Sequence, residues 1–356
     1  MEVLVPVLLR NLDIPVFIEI DHNLIGRIDE ILLNYHLKFS KPIFLYGRTT
    51  FQIGAQEAMG HFPKSDGILI EKSDEDEVLK VSRKIAEGMH DVVIGIGGGR
   101  VLDVGKLASA RSNIGFISVP TIPSNDGIAS PVAVIKGGGE NHSIRARIPM
   151  GIIVDIEVLK DAPLRHLKAG AGDLIANLSA VHDWRLAFEE DKDYYDPFAA
   201  MLSRLAVETV LNFNDPDFGN PEFLRNLVMG LVLSGIAMGI AGSSRPASGS
   251  EHEISHALDH LFGGPGLHGE QVAITTLFSL QLQNQHLGEV QEFYKRLSLP
   301  DSIDEVNLSI EDFVAAVQYA PKTRPDRYTI LEHLNLNQER VKDVAVKSGI
   351  WSGSHQ

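Results

Sequence analysis

The stretch VVIGIGGGRVLDVGKLAS, Val92 to Ser109, decides the fold. A β-branched run meets three contiguous glycines, Gly97, Gly98 and Gly99, and helical periodicity begins directly after them. A buried strand feeding a helix through side-chain-free residues leaves backbone N–H groups open to an anion, and the helix N-terminus adds its dipole. A pyrophosphate fits such a turn; so does a tight turn with no ligand. The pattern is not GxGxxG, because Gly95 lies inside the predicted strand. Asp103, one helical turn on, is expected to cap or orient the glycine loop.

On either side, β-branched runs alternate with amphipathic ones: PVFIEI, LIGRIDEILLNYH, KPIFLYG, TTFQIGAQEAM, DGILIE, DEDEVLKVSRKIAEGM and GFISVPTIP. Strand and helix in alternation predict parallel pairing with both sheet faces covered, a doubly wound α/β nucleotide-binding domain. From APLRHLKAGAGD onward helical periodicity takes over, in DPFAAMLSRLAVETVLNF, PEFLRNLVMGLVLSGIAMGI and SIEDFVAAVQYA. An all-α second domain is expected, divided from the first within Gly151 to Pro163, giving domains 1–157 and 158–356. The loop PTIPSNDGIASPVAVI carries Thr121, Ser124, Asn125, Asp126 and Ser130 at the C-terminal edge of the predicted sheet, where such folds bind ligands. Hydroxyls there can bond a ribose or a nicotinamide amide; Asn-Asp-Gly can equally be turn chemistry.

The chain has 356 residues, 44% of them apolar, and a formal net charge of -15. No global basic field is available to hold a phosphate backbone, so nucleic acid is not an expected partner and an anionic substrate needs local donors. Cys is absent, which leaves metal chemistry to His, Asp and Glu and suits a reducing cytoplasm. The start MEVLVPVLLRNLDIPVF, with an acidic residue at position 2 and a Pro in a short apolar run, reads as mature protein, and the tail WSGSHQ as frayed. The longest apolar run, Leu227 to Gly242, is interrupted by Gly and predicts a buried core helix rather than a membrane span.

Metal-ligating residue types gather in the helical half. Asp173 follows Gly170 and Gly172 near a predicted helix start, a position that also suits an N-cap. His252 and His256 are four apart on one helix face, and His268 heads a further helix after a Gly/Pro turn. One carboxylate with two or three imidazoles matches a Zn²⁺ or Fe²⁺ site with an open position. The string HExxH formed by His252, Glu253 and His256 also belongs to zinc peptidases. The extended metzincin pattern fails, with Asp259 where Gly is needed and Phe262 where His is needed, and a peptidase has no use for a strand–GGG–helix module. Glu253 is then expected to be incidental.

Together GIGGGRVLDVGK, PTIPSNDGIASP, AGAGDLIAN with AVHDWRLA, SRPASGSEHEISHALD and LHGEQVA resemble the sn-glycerol-1-phosphate dehydrogenase family. That family sits in the dehydroquinate synthase-like superfamily of metal-dependent alcohol dehydrogenases and glycerol dehydrogenase. The resemblance runs from about Gly95 to Ala273. It implies reversible reduction of dihydroxyacetone phosphate to sn-glycerol 1-phosphate with NAD or NADP and one Zn²⁺ per chain, for archaeal-type phospholipid backbones. By the same resemblance Gly97, Gly98, Gly99, Arg100 and Val101 hold the pyrophosphate, and Thr121, Ile122, Pro123, Ser124 and Ser130 touch the nicotinamide half. Asp126 contacts substrate, Asp173, His252 and His268 are the metal ligands, and His256 faces substrate. A cytoplasmic homo-oligomer is expected. Arg48, after KPIFLYG, suits an adenosine 2′-phosphate without excluding NAD, though a surface Arg reads the same; Arg245, Arg145 and Arg147 are candidates for the substrate phosphate. The alternatives are a sister dehydrogenase of glycerol or another small alcohol, a dehydroquinate synthase-like lyase with no net nucleotide turnover, and a non-catalytic nucleotide- or metal-binding regulator.

Overall fold

A computed structural model describes residues 14–138 and 140–353; residues 1–13 of the N-terminal run and the last three of the tail lie outside it. Six strands form one parallel sheet: β1 (Phe17–Asp21), β2 (Pro42–Tyr46), β3 (Asp66–Leu69), β4 (Val92–Gly97), β5 (Gly115–Pro120) and β8 (Gly151–Asp155), in the order β1-β8-β5-β4-β2-β3. Every residue of β4 and β8 is buried, which is why their sequences are nearly continuous apolar runs rather than alternations. The two faces fill separate cores: Ile43 and Leu45 point to one, Phe44 to the other. The chain runs outward from β2 to β3 and then returns to β4 on the opposite side of β2. Strand order therefore reverses between β2 and β4, which opens a crevice beyond their carboxyl ends.

The loop expected after Pro131 contains a two-stranded antiparallel hairpin, β6 (Val132–Gly137) and β7 (Glu140–Arg145). It has no clear strand signature, because β7, ENHSIR, is polar and four of its residues, Asn141, His142, Ser143 and Arg145, are exposed.

After β8 the described residues contain helices and no further strand. Pro221–Ala241 is started by Asn220, whose side chain accepts from the Glu222 N–H, and ended by Gly242 at φ 68°. By length and composition it matches a membrane span, but 67% of its apolar window is buried inside the protein. Val93 and Leu102 of the sheet layer share one contiguous core with Leu174, Val228 and Phe278 of the helices. Each such fully buried side chain contributes about 1.5–3 kcal/mol of burial. The sheet layer and the helices are thus joined through one core.

Candidate active site

The crevice beyond β2 and β4 has a volume of about 920 Å³ and is lined by Arg48, Glu71, Gly98, Gly99, Arg100 and Ile122 among others. Gly98 caps the helix Gly99–Ser112 in an extended conformation. A Cβ on Gly99 would meet nothing within 4 Å, and one on Gly98 would come no closer than 3.7 Å to Ile122, so both face open space. Gly97 differs: a Cβ there would stand 2.7 Å from Val101, so packing of the turn excludes it. The Thr121 N–H donates to the Gly97 carbonyl at 3.1 Å, while the buried Thr121 Oγ1 has no partner among the described residues. A cradle without side chains and an orphaned hydroxyl beside it fit a dinucleotide. At the outer end Arg48 pairs with Glu71, and the Arg100 Nη1 donates to the Glu71 carbonyl at 2.6 Å.

A second cavity, about 390 Å³, lies where the loop after β5 meets the helices; Asp126, Ser130, Asp173, His252, His256 and His268 line it. Asp173 stands in the last turn of the helix Leu164–Ile175, not at a helix start, so the N-cap alternative fails. Its neighbours explain the AGAGD glycines. A Cβ on Gly172 would stand 2.6 Å from the Gly269 carbonyl, so two glycines let the helices Leu164–Ile175 and His268–Gln283 touch backbone to backbone. That contact brings Asp173 beside His268, while Ser250–Phe262 supplies His252 and His256.

Both imidazole Nε2 atoms, of His252 and His268, lie 3.7 Å from Asp173 Oδ1. That is too long for hydrogen bonds. Donor atoms sharing one ion at bonds of about 2.0–2.2 Å stand roughly 3–4 Å apart, so the spacing is that of a ligand set. The outer ring nitrogens are already committed. His252 Nδ1 bonds Glu251 Oε1 at 2.9 Å, and His268 Nδ1 bonds Ser255 Oγ at 3.2 Å. Ser255 Oγ donates to Gln271 Oε1 at 2.7 Å, so it must accept from His268. Carboxylate and hydroxyl acceptors place the proton on Nδ1 of each ring and leave both Nε2 lone pairs aimed inward. Asp173 Oδ2 is fixed by the Asp126 N–H at 3.0 Å. Donor types, spacing and tautomers all fit a divalent cation.

The electrostatics agree. Burial opposes charge on His252, yet Asp173 and the fully buried Glu251 favour the charged ring and raise its pKa to about 9; a divalent ion on Nε2 would supply that positive charge in place of a second proton. Burial, then the Asp173 charge, pushes Asp126 up to about 7. Burial and the guanidinium of Arg324 hold His256 well below its ordinary value, so this ring is neutral; its Nε2 lies 3.3 Å from Arg324 Nη2. Its ring centroid stands 6.5 Å from that of His252 and 6.3 Å from that of His268, outside the triad.

Thr121, Pro123 and Ser124 line neither cavity; Pro123 instead packs its carbonyl against Gly170. Asp103 does not orient the glycine loop: it pairs with Lys106 Nζ at 3.1 Å. Arg245 is spent on Asp193 at 2.6 Å and on the Tyr328 carbonyl at 3.1 Å, and it lines neither cavity. Arg145 and Arg147 line the second cavity and are exposed. Glu253 is not incidental, being fully buried with its carboxyl on Thr329 Oγ1 at 3.1 Å.

Several contributors escape the sequence reading. Glu251 fixes the His252 tautomer. Lys106, fully buried, gathers the Gly127 carbonyl at 2.9 Å and those of Ser130 and Val132, which holds the loop that carries Asp126. Asp183 of the DWRLA string accepts from the Ser250 N–H at 2.7 Å and so caps the His252 helix from a neighbouring helix. All three lie inside quoted motifs, Lys106 in GIGGGRVLDVGK, Glu251 in SRPASGSEHEISHALD and Asp183 in AVHDWRLA, but nothing in the strings shows which partner each one holds.

Residues 19–163 match the family model described as iron-containing alcohol dehydrogenase. The chain is 40% identical over 335 residues to the glycerol-1-phosphate dehydrogenase [NAD(P)+] of Pyrococcus abyssi, covering 92% of this chain and 96% of that protein. It is 45% identical to the protein of that name from Hyperthermus butylicus, over 73% of this chain and 74% of the other. A crystal structure of a probable glycerol dehydrogenase from Sinorhizobium meliloti superimposes with a TM-score of 0.76 at 21% identity, covering 96% and 98% of the two chains, a likeness of fold. Similarity at this level over nearly the whole length of both proteins places this chain in the glycerol-1-phosphate dehydrogenase family.

Proposed function

We propose that this chain catalyses the reversible NAD(P)-dependent reduction of dihydroxyacetone phosphate to sn-glycerol 1-phosphate, the backbone of archaeal-type phospholipids. The observation that carries this reading is the presence of two fitted sites in one chain: a bare glycine cradle and an Asp–His–His corner with both Nε2 atoms facing the shared carboxylate oxygen. When bound, the nicotinamide supplies hydride, and a divalent ion, Zn²⁺ in this reading, supplies Lewis acidity.

The chain's own residues do the rest. Gly97 to Val101 would hold the pyrophosphate through backbone N–H groups and the helix N-terminus. Of the residues assigned to the nicotinamide half, Thr121, Ile122, Pro123, Ser124 and Ser130, only Ile122 and Ser130 line the cavities; the Thr121 hydroxyl would be the buried donor, and Pro123 and Ser124 would act through the backbone of the same loop. Asp173, His252 and His268 would hold the ion. Asp126, braced by Ser234 Oγ at 3.1 Å, faces the substrate. His256, neutral and in the same cavity, is placed to hold a substrate hydroxyl or pass a proton. Arg48 beside Glu71 offers a cation and a carboxylate to the adenosine ribose, which supports use of both nucleotides.

The same reading divides the chain into a nucleotide domain, 1–157, and a metal domain, 158–356, and makes it a cytoplasmic homo-oligomer. Exposed Phe198, Met201 and Leu205, on one face of the helix Pro197–Leu211, support association. The decisive assay mixes protein, Zn²⁺, dihydroxyacetone phosphate and NADH or NADPH. Nucleotide oxidation with formation of the sn-1 product is expected, and no turnover after metal reconstitution would refute the assignment.

A further inference from the structure

In a chain of net charge -15, three arginines line the second cavity, Arg145, Arg147 and Arg324, and Arg324 is the one that reaches His256. Arg324, in the turn TRPDR, projects into the cavity, held by Ser143 Oγ at 3.2 Å and His256 Nε2 at 3.3 Å. Both partners are neutral, and no carboxylate among the described residues forms an ion pair with Arg324. The other arginines of this region differ. Arg245 is neutralised by Asp193. Arg327 is directed to the turn before the His252 helix, donating to Ser248 Oγ at 3.0 Å and to Ser244 Oγ at 2.5 Å.

That last contact shapes the cavity. Ser244 and Ser248 both line it, and a hydroxyl that already accepts from a guanidinium keeps its own proton free to donate elsewhere. One partly buried arginine without a counter-ion and two hydroxyls turned into donors make a receptor for an oxyanion with several acceptor atoms. The cavity's carboxylates do not spoil it. Asp126 and Asp173 belong to the metal corner, Asp103 is paired with Lys106, and Asp259 accepts from Gln271 Nε2 at 3.1 Å.

We propose that Arg324 binds the phosphate group of the substrate, with Ser244 and Ser248, oriented by Arg327, completing the cradle. The proposal rests on the reading of the reaction given above and names the group that recognises its substrate. The distances suit it. Arg324 touches His256, and the His256 ring lies 6.3 Å from His268 and 6.5 Å from His252. In dihydroxyacetone phosphate only a methylene and an ester oxygen separate the reacting carbonyl from the phosphorus. A phosphate on Arg324 therefore leaves the carbonyl beside the Asp–His–His corner. The sequence candidates Arg145 and Arg147 stand exposed on the same cavity and do not have this built surround.

The test uses the metal-loaded enzyme and Arg324→Ala and Arg324→Lys variants. With dihydroxyacetone phosphate, kcat/KM of Arg324→Ala should fall about 10²-fold, the loss expected for a charge-assisted contact to phosphate. With dihydroxyacetone, which lacks the group, the loss should be at least about tenfold smaller, what remains reporting the contact of Arg324 with His256. Arg324→Lys should restore part of the loss, retaining charge without the fork. Inorganic phosphate should compete with substrate in the wild type, and its dissociation constant, followed by phosphorus NMR, should rise about tenfold in Arg324→Ala. Equal losses on both ketones, or unchanged phosphate binding, would overturn the proposal. A wild type that binds phosphate through Arg324 yet never reduces dihydroxyacetone phosphate would instead sink the assigned reaction.

Discussion

The glycine turn and the Asp–His–His corner lie in two separate cavities and are built from opposite materials. The turn is backbone: contiguous glycines, N–H groups and space that no side chain enters. The corner is side chain: three groups from three helices, aimed by the carboxylate of Glu251, the hydroxyl of Ser255 and the N–H of Asp126. A backbone site fails when something is added to it, a side-chain site when something is removed. Their responses to substitution should therefore be opposite in kind.

The largest effect is expected at the corner. Asp173→Asn keeps the shape but deletes the charge that faces both Nε2 atoms, and His268→Ala removes one donor outright. Either change should lower bound metal below detection and turnover by on the order of 10³-fold. His256→Ala should retain the metal and lose about 10²-fold in rate, because its ring stands outside the triad. Metal analysis of the purified variants decides the matter, and equal metal loss in all three would erase the division between ligand and substrate residue.

The turn predicts a different signature. Gly99→Asp places a carboxylate in open space at the first position of a helix, where negative charge is tolerated or favoured by the dipole. The fold should lose nothing, with a thermal midpoint within about two degrees of wild type. The same carboxylate occupies the space assigned to the pyrophosphate and repels it, so NADPH should bind about 10²-fold more weakly by fluorescence titration. Unchanged nucleotide affinity would show that the cradle is an ordinary turn.

This contrast also explains what the sequence made legible. The turn is contiguous, so its strand, glycines and helix read off in order, and the alternation around it predicts the parallel sheet. The three corner residues stand out by type and family resemblance; His252 on its helix and His268 at the head of another are as expected, and only the setting of Asp173 differs. Gly170 and Gly172 look like helix breakers ahead of Asp173, whereas they lie within the helix because Pro123 and Gly269 press their backbones against it. Arg324 could not be found this way, since its contact with His256 joins a turn to a helix that no motif connects. The hairpin β6–β7 has the same problem, because its polar strand owes its pairing to a partner rather than to its own periodicity.

The smallest effect concerns the residue that the HExxH string makes most conspicuous. Glu253 is fully buried, and burial, then the carboxylates of Glu332 and Asp183, raise its pKa well above 4.5. Below 4.5 the carboxyl is protonated in both folded and unfolded chains and costs nothing. As pH rises past that value the unfolded chain ionises first, so stability falls until the folded-state pKa is reached. Glu253→Gln removes this ionisation while its carbonyl oxygen can still accept from Thr329 Oγ1. The variant should therefore match wild type in acid and exceed it at alkaline pH by about 1–3 kcal/mol, read from unfolding midpoints in both conditions. A difference independent of pH would refute the account of the buried carboxyl. Ketone reduction should stay within about twofold of wild type. A collapse of turnover with the metal retained would instead give Glu253 the general-base role that a peptidase would require.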